Sequence, residues 1–77
     1  MIITIKALAT VRKYLMDLPP DGRLEVPEEI SIEDLLEYLG APSDLAMVIL
    51  VNGRPTPEAH QLRDGDTVVL FPSLEGG

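Results

Sequence analysis

The 77 residues, 45% hydrophobic and 25% charged, suffice for one domain that folds alone, but such a domain buries only about 60% of its unfolded surface and has little room for an enclosed catalytic cavity. With no cysteine, the chain lacks disulfides, a thiolate nucleophile and thiolate metal ligands. A formal net charge of −7 repels phosphate backbones and anionic lipid, which argues against nucleic acid and membrane surfaces as partners.

Met1 to Leu8 open with Ile3, Ile5 and Ala7 alternating against Thr4 and Lys6, the period of a half-buried strand. The start lacks the order of a secretion signal, and no apolar run approaches transmembrane length, so a soluble, cytoplasmic protein is expected. Ala9 to Met16 lose the alternation and predict a short helix that stops before Pro19-Pro20. Pro20-Asp21-Gly22 is turn chemistry, and Leu24 and Val26 alternate with Arg23 and Glu25, predicting a second strand paired with the first.

Between Ile30 and Gly40, apolar residues recur at 32, 35, 36 and 39, one face of a helix. Ser31 suits the N-cap, Glu33 and Asp34 suit the positive end of the helix dipole, Ile30 and Leu35 have staple spacing, and Gly40 suits a left-handed stop. The apolar run Ala46 to Val51, closed by Asn52-Gly53, predicts a buried strand and a tight turn. Pro55 and Pro57 predict an irregular stretch. Asp64-Gly65-Asp66 is a further turn, and Thr67 to Phe71 read as a last strand buried on both faces and ended by Pro72.

A strand with two apolar faces belongs at the centre of a sheet, where it lies parallel to the first. The expected architecture is therefore α+β, a β-grasp: a mixed sheet of four to five strands crossed by one main helix. Residues 1–72 form the domain, and 73–77 form a flexible C-terminal tail with nothing to pack against.

Candidate chemistry within the domain is sparse. No Walker loop, dinucleotide fingerprint or zinc spacing occurs, and the one histidine, His60, lies in a polar stretch without a constellation around it. Asp64 and Asp66 flank a glycine but lack the further oxygen ligands that calcium needs in series. Ser31, Ser43 and Ser73 have no adjacent base. The remaining candidate is Gly76-Gly77, since two residues without Cβ can thread a narrow channel and carry a carboxylate to another protein's catalyst. Five residues beyond Pro72 reach about 17 Å when extended, enough to enter such a site.

Ala9-Thr10-Val11-Arg12, Val51-Asn52-Gly53, Leu62-Arg63-Asp64-Gly65-Asp66-Thr67-Val68 and Leu70-Phe71-Pro72 leading to Gly76-Gly77 together make the chain resemble the MoaD/ThiS sulfur carriers of the ubiquitin-like β-grasp superfamily. Within that family it looks most like the small subunit of molybdopterin synthase. The resemblance implies a carrier, not an enzyme, with no bound cofactor. An E1-like adenylyltransferase spends ATP to adenylate the Gly77 carboxylate, a persulfide donor turns it into a thiocarboxylate, and the large synthase subunit or an equivalent acceptor enzyme takes the sulfur. Gly76 would be the slender neck. The resemblance also implies a partner-binding patch at Leu8, Leu62, Phe71, Pro72 and Leu74, with Phe71, the only phenylalanine, as the preferred anchor; the alternative is that Leu8, Leu62 and Phe71 are simply core, evenly balanced for Leu62. Ser73-Leu74-Glu75 replaces the family's more usual second proline and small residue, and Ala7-Leu8 a more aromatic pair. The thiamine thiazole pathway and a ubiquitin-like modifier conjugated through Gly77 therefore stay open beside the molybdopterin pathway.

Overall fold

The computed structural model describes residues 1–8, 11–15, 19–41 and 47–73. Seven elements follow one another: β1 (Ile2–Ala7), α1 (Val11–Tyr14), β2 (Arg23–Glu25), α2 (Ile32–Tyr38), β3 (Met47–Val51), β4 (Arg54–Pro55) and β5 (Thr67–Pro72). Five strands make one sheet in the order β2-β1-β5-β3-β4. β5 is central and parallel to β1, with Ile5 opposite Val68 and Ala7 opposite Leu70, whereas its pairing with β3 is antiparallel. This is the expected β-grasp.

α2 is set by its ends. The Ser31 hydroxyl accepts from the Asp34 amide at 3.1 Å. The Ile32 and Glu33 amides donate to the carbonyls of His60 and Glu58, so the free donors of the first turn are satisfied. Gly40, at φ 81°, reverses the chain, and the Ala41 amide returns to the Leu36 carbonyl at 3.0 Å, a Schellman closure. Between these caps Ile32, Leu35, Leu36 and Leu39 are buried with Ile3, Ile5, Leu24, Ile49, Val51, Val68 and Leu70. The core thus lies between the helix and one face of the sheet.

The other face departs from expectation. β5 alternates: Val68 and Leu70 are buried, whereas Thr67, Val69 and Phe71 are only half-buried. In β3, Val48 and Leu50 are half-buried as well. Among the described residues only α2 is a multi-turn helix, and it covers one face. The apolar run reflects a central position and close cross-strand neighbours, with Phe71 opposite Val48 and Val69 opposite Leu50, and not burial on both faces.

A second departure lies at Arg54–Pro55. Asn52 and Gly53 both have positive φ, 53° and 85°, the signature of a type I′ turn that twists as a hairpin does. It returns the chain so that Arg54 pairs with Val51 and Pro55 with Leu50. Proline is tolerated because β4 is an edge strand, whose outer amides pair with nothing. The helix expected over Ala9 to Met16 is α1, but Ala9, Thr10 and Met16 lie outside the described residues, as do Ser43 and Ala46. Among the described residues no helix is long and apolar enough to cross a membrane.

Gly22 holds β2 against β1. Its carbonyl accepts from the Ile5 amide at 2.7 Å, its φ is +75°, and a Cβ there would run into the Ile5 carbonyl oxygen. Gly53 shares the left-handed backbone but would place a Cβ in open space. Gly22→Ala is therefore expected to cost about 2–4 kcal/mol, strain and overlap together, and Gly53→Ala about 1 kcal/mol, strain alone. Urea unfolding of the two variants checks the difference; equal losses would contradict the close approach.

Candidate functional site

The middle of the sheet determines where the last residues of the chain start. β5 enters beside the Asp64-Gly65-Asp66 turn, which a network of hydrogen bonds fixes to its neighbours. The Asp64 carboxylate accepts from the Ile2 amide at 2.7 Å. The Asp66 carboxylate accepts from the Asn52 side-chain amide at 2.9 Å and from the Arg63 amide at 2.8 Å. The Asn52 side-chain oxygen in turn accepts from the Thr67 amide at 3.0 Å. This turn, read as a possible calcium ligand and then as a turn, serves to align β1, β3 and β5. Among the described residues no group of three or more His, Asp or Glu side chains is placed to hold a metal, and His60 is exposed in its loop.

At the far end β5 finishes at Pro72, next to the end of β1, where the Leu8 amide donates to the Leu70 carbonyl at 2.9 Å. Leu8 is 51% exposed, and Phe71 and Pro72 are half-buried. Phe71 lies two residues beyond Val69, on the sheet face away from α2. These three expected docking residues therefore surround the point from which residues 73–77 continue. Leu74, Gly76 and Gly77 lie outside the described residues.

Leu62 does not belong with them. It is 2% exposed and part of the core, so it offers no surface to a partner. Its amide donates to the Ile30 carbonyl at 2.8 Å while the preceding loop carbonyls cap α2; pinned there, its side chain fills the space under the helix start. Sequence reasoning also missed Ile2, 39% exposed, and Val48, Leu50 and Val69 on the open face. The period-2 alternation of the flanking strands was the signal for them, obscured because both faces of β3 and β5 are apolar.

The mixed five-stranded sheet, with its first and last strands parallel and adjacent and one main helix across it, defines a ubiquitin-like β-grasp protein. The ThiS family model matches residues 5–77, and the chain belongs to the ThiS family. It is a ThiS/MoaD-like carrier of the ubiquitin fold. Among solved structures it is similar to a putative molybdopterin converting factor, subunit 1, from Pyrococcus furiosus, at 25% identity over 96% of this chain and 99% of that one, with a TM-score of 0.74. It is similar in fold to SAMP1 from Haloferax volcanii, at 20% identity over 100% of both chains and a TM-score of 0.70. A second structure of that protein, the small archaeal modifier protein 1, gives 19% identity over 95% of this chain and 98% of that one, with a TM-score of 0.69. No curated protein matches the chain.

Half-buried Phe71 sets an expectation for its removal. A fully buried phenylalanine costs about 3–5 kcal/mol on truncation to alanine; Phe71→Ala should cost less, about 1–2 kcal/mol, and should weaken partner binding more than it weakens the fold. Thermal unfolding alongside a pull-down of the activating enzyme separates the two. A core-sized stability loss with unchanged binding would count against the docking role.

Proposed function

We propose that this chain carries sulfur as a thiocarboxylate on Gly77 and delivers it in the biosynthesis of molybdopterin for a molybdenum or tungsten cofactor. The observation that carries the reading is the family match, which extends to Gly77 itself. The likeness to a molybdopterin converting factor subunit and the Leu70-Phe71-Pro72 step support the molybdopterin branch. In the cycle, a Gly77 carboxylate oxygen attacks the α-phosphorus of ATP and pyrophosphate leaves. The terminal sulfur of a donor persulfide attacks the acyl adenylate, AMP leaves, and a donor thiol then cleaves the resulting S–S bond to free the thiocarboxylate. The acceptor enzyme, equivalent to the large synthase subunit, moves that sulfur to the pterin precursor, and water restores the carboxylate. An E1-like adenylyltransferase performs the activation, in the cytoplasm. The carrier supplies the acyl group and a binding surface, while the acids, bases and ATP site are the partners'.

The family model's own name favours one second reading, delivery to the thiazole of thiamine. Labelled sulfur loaded onto the carrier decides between them: label in the pterin product supports the proposal, label in the thiazole supports the second reading, and label lost as the chain joins target lysines makes it a modifier. Gly77→Ala should fold as the wild type does and transfer sulfur poorly, because the added Cβ crowds the partner's channel. Equal transfer rates in single-turnover assays, with matched unfolding curves, would contradict this.

A further inference from the structure

Asn52 is the chain's single asparagine, and a glycine follows it. In such a pair the backbone nitrogen of the glycine, with no Cβ beside it, can attack the carbonyl carbon of the Asn side chain. A bond forms between Gly53 N and Asn52 Cγ, the Cγ–Nδ2 bond breaks, and ammonia leaves with the displaced proton, so that a five-membered succinimide closes. Water, the one co-reactant, then opens the ring. Cleavage at Cγ leaves aspartate, whereas cleavage at the main-chain carbonyl leaves isoaspartate, which routes the chain through an added methylene. Asn52 and Gly53 are both exposed, so water has access to them.

The fold opposes ring closure in two ways. The φ angles of 53° and 85° at Asn52 and Gly53, with Arg54 returned against Val51, belong to a type I′ turn, whose first central residue has ψ of about +30°. There Cβ of Asn52 and N of Gly53 lie on nearly opposite sides of the Cα–C bond. Closure needs them on the same side, at ψ of about −120°, the value of a type II′ turn. The side chain is held as well. Its Nδ2 donates to the Asp66 carboxylate at 2.9 Å, and its Oδ1 accepts from the Thr67 amide at 3.0 Å. Both ends of the side-chain amide are therefore committed to the start of β5, and Cγ reaches Gly53 only after both bonds part.

We propose that Asn52 is a deamidation site that the native β3–β4 turn keeps closed, and that it reacts when the Asn52–Gly53 peptide flips and the side chain leaves β5. Glycine at position 53 permits the flip, because it adopts the φ of about −80° that a type II′ turn requires as readily as its native positive value. The change is one-way. Either product puts a carboxylate where Nδ2 donated, facing Asp66 with no hydrogen to share, and two like charges so placed repel. Isoaspartate also lengthens the chain inside the turn, against the Val51–Arg54 pairing. A chain that has once opened here thus loses a link that fixes β3 to β5 and holds its last strand less firmly. The inference is independent of the carrier reading, since the reaction needs no partner.

The test is a time course on the full chain in neutral buffer, with and without urea at one pH and temperature, read by peptide mapping for the mass gain of an amide becoming a carboxylate at Asn52. The native chain should convert about tenfold or more slowly than the unfolded one, the effect of two hydrogen bonds that have to open first. Asp66→Ala, shown by thermal unfolding to be folded, should convert about threefold or more faster than the native wild type. Asn52→Asp, which carries the product's charge, should lower the unfolding midpoint by about 4–8 °C. Equal rates with and without urea, or no conversion in either, overturn the proposal, and both are read on the wild type alone. A folded Asp66→Ala that converts no faster overturns it too, because the hydrogen bonds would then be no part of the barrier. So does an Asn52→Asp that unfolds together with the wild type.

Discussion

β1 and β5 stand side by side at the centre of the sheet, yet Thr4 meets Thr67 and Ala7 meets Leu70, so the pairing closes only after nearly the whole chain has been laid down. Such a contact costs loop entropy before it yields hydrogen bonds, and its register has to be exact to a residue, because a slip of one would turn Val68 and Leu70 out of the core. The Asp64-Gly65-Asp66 turn supplies that register. Asp64 takes the amide of Ile2, Asp66 takes Asn52 and the Arg63 amide, and Asn52 returns to Thr67. Three strands are thereby aligned, by short polar side chains, at the end remote from Pro72.

From that alignment the position of Pro72 follows. With β5 held between β1 and β3, Pro72 emerges from the middle of the sheet beside Leu8, and not at an edge where strand fraying would move it. The face away from α2 is then left with Phe71, Val69, Val48 and Leu50 half-exposed around the exit. For a carrier that acts through Gly77, as proposed, such a rigid origin at Pro72 would help a partner engage the last residues and the sheet surface together. The domain is in this sense a grip for its own last residues.

Much of this was legible in the chain. The helix from Ser31 to Gly40 showed its cap, its apolar face and its stop: the cap is the Ser31–Asp34 hydrogen bond, the stop is the positive φ of Gly40, and the face is buried against the sheet. The central place of the last strand was legible from its lack of alternation, but the same feature misled about burial: a central strand is crowded by neighbours on both sides, while the layer above it is a separate matter that the run of Val and Leu does not encode. Pro55 hid β4, because proline reads as a break unless the strand is known to be an edge. Leu62 was ambiguous since its burial depends on a loop docking to the start of α2, a tertiary event with no local signature.

Sulfur carriage as proposed requires the exchange of one oxygen for one sulfur at Gly77. Intact-mass spectrometry of the protein isolated from its own cell, with fragmentation of its last peptide, measures that exchange directly. The expected result is a population heavier by the replacement of one oxygen by sulfur, located at Gly77 and lost when the activating enzyme is deleted. A last peptide that stays entirely in the carboxylate form whether or not the activating enzyme is present would contradict it.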